Sequence, residues 1–143
     1  MAFSSNRTED PDANTNSDIW VVSANNTDKG GTLVRITDYE GGDGGPAWSP
    51  DGQWIAYTTG INDPRYGAFE TTHLAIRASD GSGERRILTE ALDRNVGSPK
   101  FTPDGRGILV TISDEGDGHI ARVDVETGDV TRLIDGNIRA SGY

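Results

Sequence analysis

The apolar residues of this chain fall in short runs divided by polar, glycine-rich turns. Trp54-Ile55-Ala56-Tyr57-Thr58-Thr59 is dense in aromatic and β-branched side chains, as strands are. Ahead of it stands Pro50-Asp51-Gly52, a turn in which proline presets φ and glycine accepts the left-handed position. The unit then returns. Trp48-Ser49-Pro50-Asp51-Gly52-Gln53-Trp54-Ile55-Ala56-Tyr57-Thr58 is matched by Phe101-Thr102-Pro103-Asp104-Gly105-Arg106-Gly107-Ile108-Leu109-Val110-Thr111, with Pro46 and Pro99 ahead of the two copies at the same offset. Each copy predicts a strand, a turn and a second strand. No stretch carries a convincing helical period.

A further pair of runs follows each unit. His73-Leu74-Ala75-Ile76-Arg77 and His119-Ile120-Ala121-Arg122-Val123-Asp124 read as third strands, and Asp18-Ile19-Trp20-Val21-Val22-Ser23 as an earlier copy. Runs ending in Ile36-Thr37, Leu88-Thr89 and Leu133-Ile134 read as outer fourth strands. Ala2-Phe3-Ser4-Ser5 aligns with Ala56-Tyr57-Thr58-Thr59 as a second strand. A repeat of about 50 residues built from short strands is the signature of propeller blades. The expected fold is therefore all-β, with about three β-propeller blades of four antiparallel strands. Residues 1–45 form an incomplete blade of strands two to four, 46–90 and 91–135 are full blades, and 136–143 are the stub of a next first strand. A closed propeller needs about four to eight blades, so this is a partial or half propeller.

Composition narrows the function. The 143 residues carry 13 basic and 23 acidic side chains, for a net charge of −10. Acid on that scale argues against a nucleic-acid partner, whose phosphates need clustered Lys and Arg. The chain holds no cysteine, so disulfides and thiol chemistry are excluded, which suits a cytoplasmic protein. Met1-Ala2-Phe3-Ser4-Ser5-Asn6-Arg7 lacks the basic-then-apolar layout of a signal peptide, and no apolar run is long enough for a membrane helix.

The blade motif resembles the WD40-like repeats of TolB-type propellers. Ser5-Asn6-Arg7-Thr8-Glu9-Asp10-Pro11-Asp12-Ala13-Asn14, running into Ser17-Asp18-Ile19-Trp20-Val21-Val22, resembles the N-terminal propeller of prolyl oligopeptidase family serine peptidases, near the acylaminoacyl-peptidase branch. That resemblance implies a parent in which an α/β-hydrolase domain carries Ser, Asp and His while the propeller caps the active site and limits substrate size. The sequence holds no Gly-x-Ser-x-Gly elbow, the strained turn that exposes such a serine. Ser82, in Gly81-Ser82-Gly83-Glu84, lacks the spacing. This chain is therefore expected to be non-catalytic, with no cofactor and no metal. The alternative is a TolB-like module in which the propeller itself binds a protein. A propeller lyase with a histidine-bound metal is disfavoured, because only two histidines are present.

Each residue with potential chemistry has a structural reading beside the functional one. His73 and His119 open third strands at matching positions, which favours hydrogen bonding within the blade over catalysis. Asp10, Asp12 and Asn14 alternate like the start of a calcium loop, but Thr15 and Val21 stand where glycine and glutamate are required. Asp114, Glu115 and Asp117 likewise read as a solvated acidic turn. The blade motif residues Trp48, Pro50, Asp51, Gly52, Phe101, Pro103, Asp104 and Gly105 are read as structural. Trp20 and Trp48 are expected to pack between blades. The loop Asn62-Asp63-Pro64-Arg65-Tyr66-Gly67-Ala68-Phe69 is the candidate recognition element, with Arg65, Tyr66 and Phe69 supplying residue types common at binding hot spots. Open blade faces and an unpaired strand edge would act as pairing templates, so self-association into a homodimer or larger assembly is expected.

Overall fold

The computed structural model describes residues 1–12, 16–25, 27, 29–60, 71–114 and 116–134. Within them lie strands β1 (Ala2–Ser5), β2 (Asp18–Val21), β3 (Val34–Arg35), β4 (Asp43–Trp48), β5 (Trp54–Gly60), β6 (Thr72–Ala78), β7 (Arg86–Ile87), β8 (Asn95–Phe101), β9 (Gly107–Asp114), β10 (Asp117–Asp124) and β11 (Val130–Arg132). Three antiparallel sheets follow in chain order: β1-β2-β3, then β4-β5-β6-β7, then β8-β9-β10-β11. Each is an up-and-down blade, and the sheets do not close into a ring. Among the described residues no helix is long and apolar enough to cross a membrane.

The period-two alternation of the second and third strands builds the joints between blades. Ile55 and Tyr57 of β5 point to the first blade, where they meet Ile19 and Ile36. Ala56 between them points to the third blade, beside Leu74 and Ile76. The third blade answers with Val96, Ile108, Val110, Ile112, Ala121 and Val123. A blade held between two others is thus apolar on both faces, which explains why β5 reads as a nearly continuous hydrophobic run.

Pro46 and Pro99 sit in the first strand of their sheets, where a missing N–H costs no ladder bond on the free edge. The register shifts beside each of them, between Gly44 and Ala47 and between Gly97 and Lys100. The repeat therefore extends to its irregularities. The second blade begins at Asp43, so its boundary lies ahead of the 46 expected from the proline. Asp43 belongs to the strand because its amide donates to the Ser17 carbonyl at 2.7 Å and it pairs with Thr59. The segment 136–143 lies outside the described residues.

Polar clamps supplement the apolar joints. Arg77 of β6 donates to the Ile36 carbonyl of the first blade at 2.6 Å and meets Asp38 at 3.3 Å. The Arg85 guanidinium lies 3.9 Å from the centre of the Tyr39 ring. Arg86 of β7 donates to the carbonyls of Val125 and Glu126 in the third blade at 3.1 and 3.0 Å. Within the third blade Arg94 and Arg132 both bind the Asp114 carboxylate, at 2.8 and 2.9 Å.

Candidate recognition surface

The two Pro-Asp-Gly turns stand side by side and form the most regular polar feature of the surface. In the first, the Gly52 amide donates to the Ser49 carbonyl at 2.9 Å, and Gly52 has φ 72°. A side chain is disfavoured at that angle, which is why the turn ends in glycine. Asp51 Oδ1 accepts from the Ser49 hydroxyl and from the Gln53 amide, the latter at 3.0 Å. The second turn repeats this with Thr102 for Ser49, Arg106 for Gln53, and Gly105 at φ 70°.

The Ser49 hydroxyl and then the Gln53 amide hold the Asp51 carboxyl below the usual carboxylate range. The Thr102 hydroxyl and then the Arg106 amide do the same for Asp104. A depressed folded-state pKa gives stability that is present above the unfolded value of 3.8 and lost as pH falls through the folded one. Replacing both aspartates by asparagine is therefore expected to lower Tm at neutral pH and to flatten the loss of stability on acidification. Thermal unfolding followed by circular dichroism across an acid series would check this, and an unchanged acid limb would count against it.

Between the turns lies a cleft of about 200 Å³ walled by Pro50, Trp54 and Phe101, with Asp51 and Asp104 at its lining. Its lining comes from both sides of the joint, so the cleft is shared by the second and third blades. Trp48 holds the position of Phe101 in the second blade, but it is 39% exposed. This corrects the expectation that it packs between blades. The first sheet consists of β1, β2 and β3, and no turn equivalent to Pro50-Asp51-Gly52 stands beside Trp48 among the described residues. Trp20 is half-buried on the face of β2 opposite Ile19. Its ring nitrogen donates to the Ser5 carbonyl at 3.3 Å, and Arg7 lies 5.1 Å from its centre.

The histidines occupy equivalent positions near the start of β6 and β10, and both are buried. His73 Nδ1 lies 2.9 Å from the Thr89 carbonyl, a bond inside the blade. His119 Nδ1 is buried without a partner. Their separate blades give them no common site. No group of three acidic, histidine or cysteine side chains suited to a metal occurs among the described residues. Asn14, Glu115 and the candidate recognition residues Arg65, Tyr66 and Phe69 lie outside the described residues.

Sequence reasoning missed the buried carboxylates of Asp18 and Asp43, which are 2% and 1% exposed. The available signal was aspartate at position 18 where the other two copies carry His73 and His119.

The repeated blade and its paired turns make the chain a run of β-propeller blades. No family model matches the chain. Its fold is similar to that of TolB from Acinetobacter baumannii, with a TM-score of 0.66 and 24% identity, covering 95% of this chain and 30% of that one. It is similar also to puromycin hydrolase, with a TM-score of 0.62 and 20% identity, covering 84% of this chain and 19% of that one. In sequence it is 38% identical over 97 residues to YuxL, an uncharacterized peptidase of Bacillus subtilis (strain 168). That match takes in 68% of this chain and 13% of the relative, so the chain spans a small part of the peptidase it resembles. It is similar as well to a prolyl endopeptidase, with a TM-score of 0.57 and 18% identity, covering 87% of this chain and 19% of that one.

Proposed function

We propose that these blades belong to the propeller of a prolyl-oligopeptidase-type serine peptidase, where they help wall and gate the approach to a hydrolase domain. The observation that carries this reading is the 38% identity to a peptidase over 97 residues. In it, peptide hydrolysis resides in an α/β-hydrolase domain outside these 143 residues, and the blades act by admitting short peptides and excluding folded protein. Arg65, Tyr66 and Phe69 are the proposed gate residues, since the 60–72 loop has no long counterpart in the third blade.

The test uses the full-length gene product with fluorogenic peptides of increasing length. We expect short peptides to be cleaved, and expect replacement of Arg65, Tyr66 and Phe69 by alanine to relax the length limit by about tenfold in kcat/KM for the longer ones, about 1.4 kcal/mol of barrier. No cleavage of any peptide would reject the peptidase reading. Cleavage with an unchanged length limit would reject the gate. The 0.66 TM-score to TolB favours a second reading, a protein-binding propeller. A full-length product that cleaves nothing would leave that reading standing.

The 143-residue chain by itself is proposed to self-associate, because the outward faces of its first and third blades repeat the faces that pack inside it. Light scattering over a concentration series is expected to give a mass above that of a monomer. A constant monomer mass would refute this.

A further inference from the structure

The two blade joints are built from equivalent positions with unlike chemistry. Asp43 pairs with Thr59 in the second blade, and the matching pair in the third blade is Val96 with Ile112. Tyr57, two residues before Thr59, corresponds to Val110. The second joint is thus apolar where the first holds a carboxyl, a hydroxyl and a phenol. Asp43, Thr59 and Tyr57 are 1%, 0% and 0% exposed. Across the joint stand Asp18 and Thr37, at 2% and 0%.

The hydrogen-bond inventory does not balance with both carboxyls ionised. Asp18 is held by Arg35 at 2.7 Å, yet its Oδ1 is buried without a partner. Asp43 Oδ2 and the Tyr57 hydroxyl are buried and unpartnered too. Thr37 stands beside both carboxyls. Its oxygen already accepts from the Ile19 amide at 2.9 Å, and its one hydrogen serves only one of them at a time. Arg85 donates to the Thr59 hydroxyl at 3.2 Å and lies against the Tyr39 ring, and its charge favours the ionised Asp43 carboxyl. Backbone bonds fix Asp43 in place: its amide donates to Ser17, and the Ser17 hydroxyl returns a bond to its carbonyl at 3.0 Å.

We propose that Asp43 is a proton-binding site that latches the first two blades together, the joint being tight when this carboxyl is protonated and looser when it is ionised. A protonated Asp43 becomes a donor, and holding it in the joint no longer costs the desolvation of a second carboxylate. The charged and titratable groups around it are Asp18, Arg35 and Asp38 from the first blade, and Tyr57, Arg77, Arg85 and Tyr39 along the joint. Burial raises the Asp43 carboxyl above its ordinary value of 3.8, opposed by the hydroxyls of Thr59 and Thr37 and by Arg85. Burial raises Asp18 as well, against the Arg35 bond. A raised carboxyl gives stability that is present below the folded-state pKa and lost as pH rises through it. The latch therefore works above 3.8, outside the range in which the depressed Asp51 and Asp104 respond.

Amide exchange of the 143-residue chain tests this, using protection factors corrected for intrinsic rates. Protection of Ile19, Ile55 and Ala75 is expected to rise as pH falls from about 7.5 to about 4, by up to about tenfold for each unit by which burial lifts the Asp43 carboxyl above 3.8. Asp43→Asn keeps the shape and cannot ionise. It is expected to show the higher protection at both values, with a change of less than about twofold between them. Wild-type protection that is flat or falls on acidification overturns the latch, as does a variant that responds like wild type. The carboxyl carbon of wild-type Asp43, followed by NMR, gives a second readout that needs no variant. Titration above 3.8 is expected, and a midpoint at or below 3.8 overturns the proposal.

Discussion

Leu74→Ala is expected to destabilise the chain by about 3 kcal/mol, while the same truncation at Ile120 costs roughly 1 kcal/mol. The two residues are repeat-equivalent. Leu74 is opposite Thr58 in β5 and accepts at its carbonyl from Leu88; Ile120 is opposite Thr111 in β9 and accepts from Leu133. Local structure and hydrogen bonding are thus held constant, and burial differs. Leu74 is 0% exposed, enclosed by the second and third blades. Ile120 lies on the far face of the third blade and is half-buried. Removing Leu74 leaves a cavity that neighbours in two sheets cannot jointly fill, whereas in the dissociated chain, at a protein concentration too low for self-association, the site at Ile120 opens to solvent and collapses. Urea unfolding of both variants would check the difference. For a chain of this size about 3 kcal/mol corresponds to a fall of roughly 10 °C in Tm. Equal losses would mean that the far face of the third blade is covered as completely as the joint, as it would be in an assembled ring.

That contrast shows what the sequence could and could not reveal. The blade unit was legible because its determinants are local. A Pro-Asp-Gly turn is specified by four residues and their own hydrogen bonds, and β5 and β6 alternate strictly enough to fix which side chains face each neighbour. The strands flanking each such turn could be read from the repeat, and the three strands of the first sheet by alignment to them. The edge of the second blade was not legible, since Asp43-Gly44-Gly45 has the composition of a loop. It becomes a strand through the bonds with Ser17, 26 residues distant. The exposure of Trp48 was hidden for the same reason. Its type matches Phe101, but burial depends on what stands across the joint, and that is a property of the neighbouring sheet. Nothing local in sequence marks Arg77, Arg85 and Arg86, yet each reaches into an adjacent blade.

The clamp made by Arg86 leads to the other large expected effect. Gly128→Ala should cost about 3 kcal/mol and weaken the joint between the second and third blades, whereas Gly83→Ala costs about 1 kcal/mol. Both glycines have positive φ, 78° and 68°, and both sit in the turn from a third strand to a fourth. A side chain at either position carries the left-handed penalty of about 1 kcal/mol. The surroundings differ. A Cβ at Gly83 meets nothing within 4 Å, whereas at Gly128 it falls 2.8 Å from the Leu88 carbonyl oxygen of the second blade. That oxygen is backbone in a paired segment, anchored by the bond from the Leu88 amide to Leu74, so the turn must move instead. The turn is itself ordered by Asp124, whose carboxylate accepts from the amides of Glu126 and Thr127 at 3.0 and 3.1 Å. Displacing it as a body withdraws the carbonyls of Val125 and Glu126 from Arg86. An Arg86→Ala background provides the check by double-mutant cycle. If the clash acts through the clamp, Gly128→Ala costs markedly less once Arg86 is gone. If the two losses simply add, the turn absorbs the methyl locally and the clamp survives it.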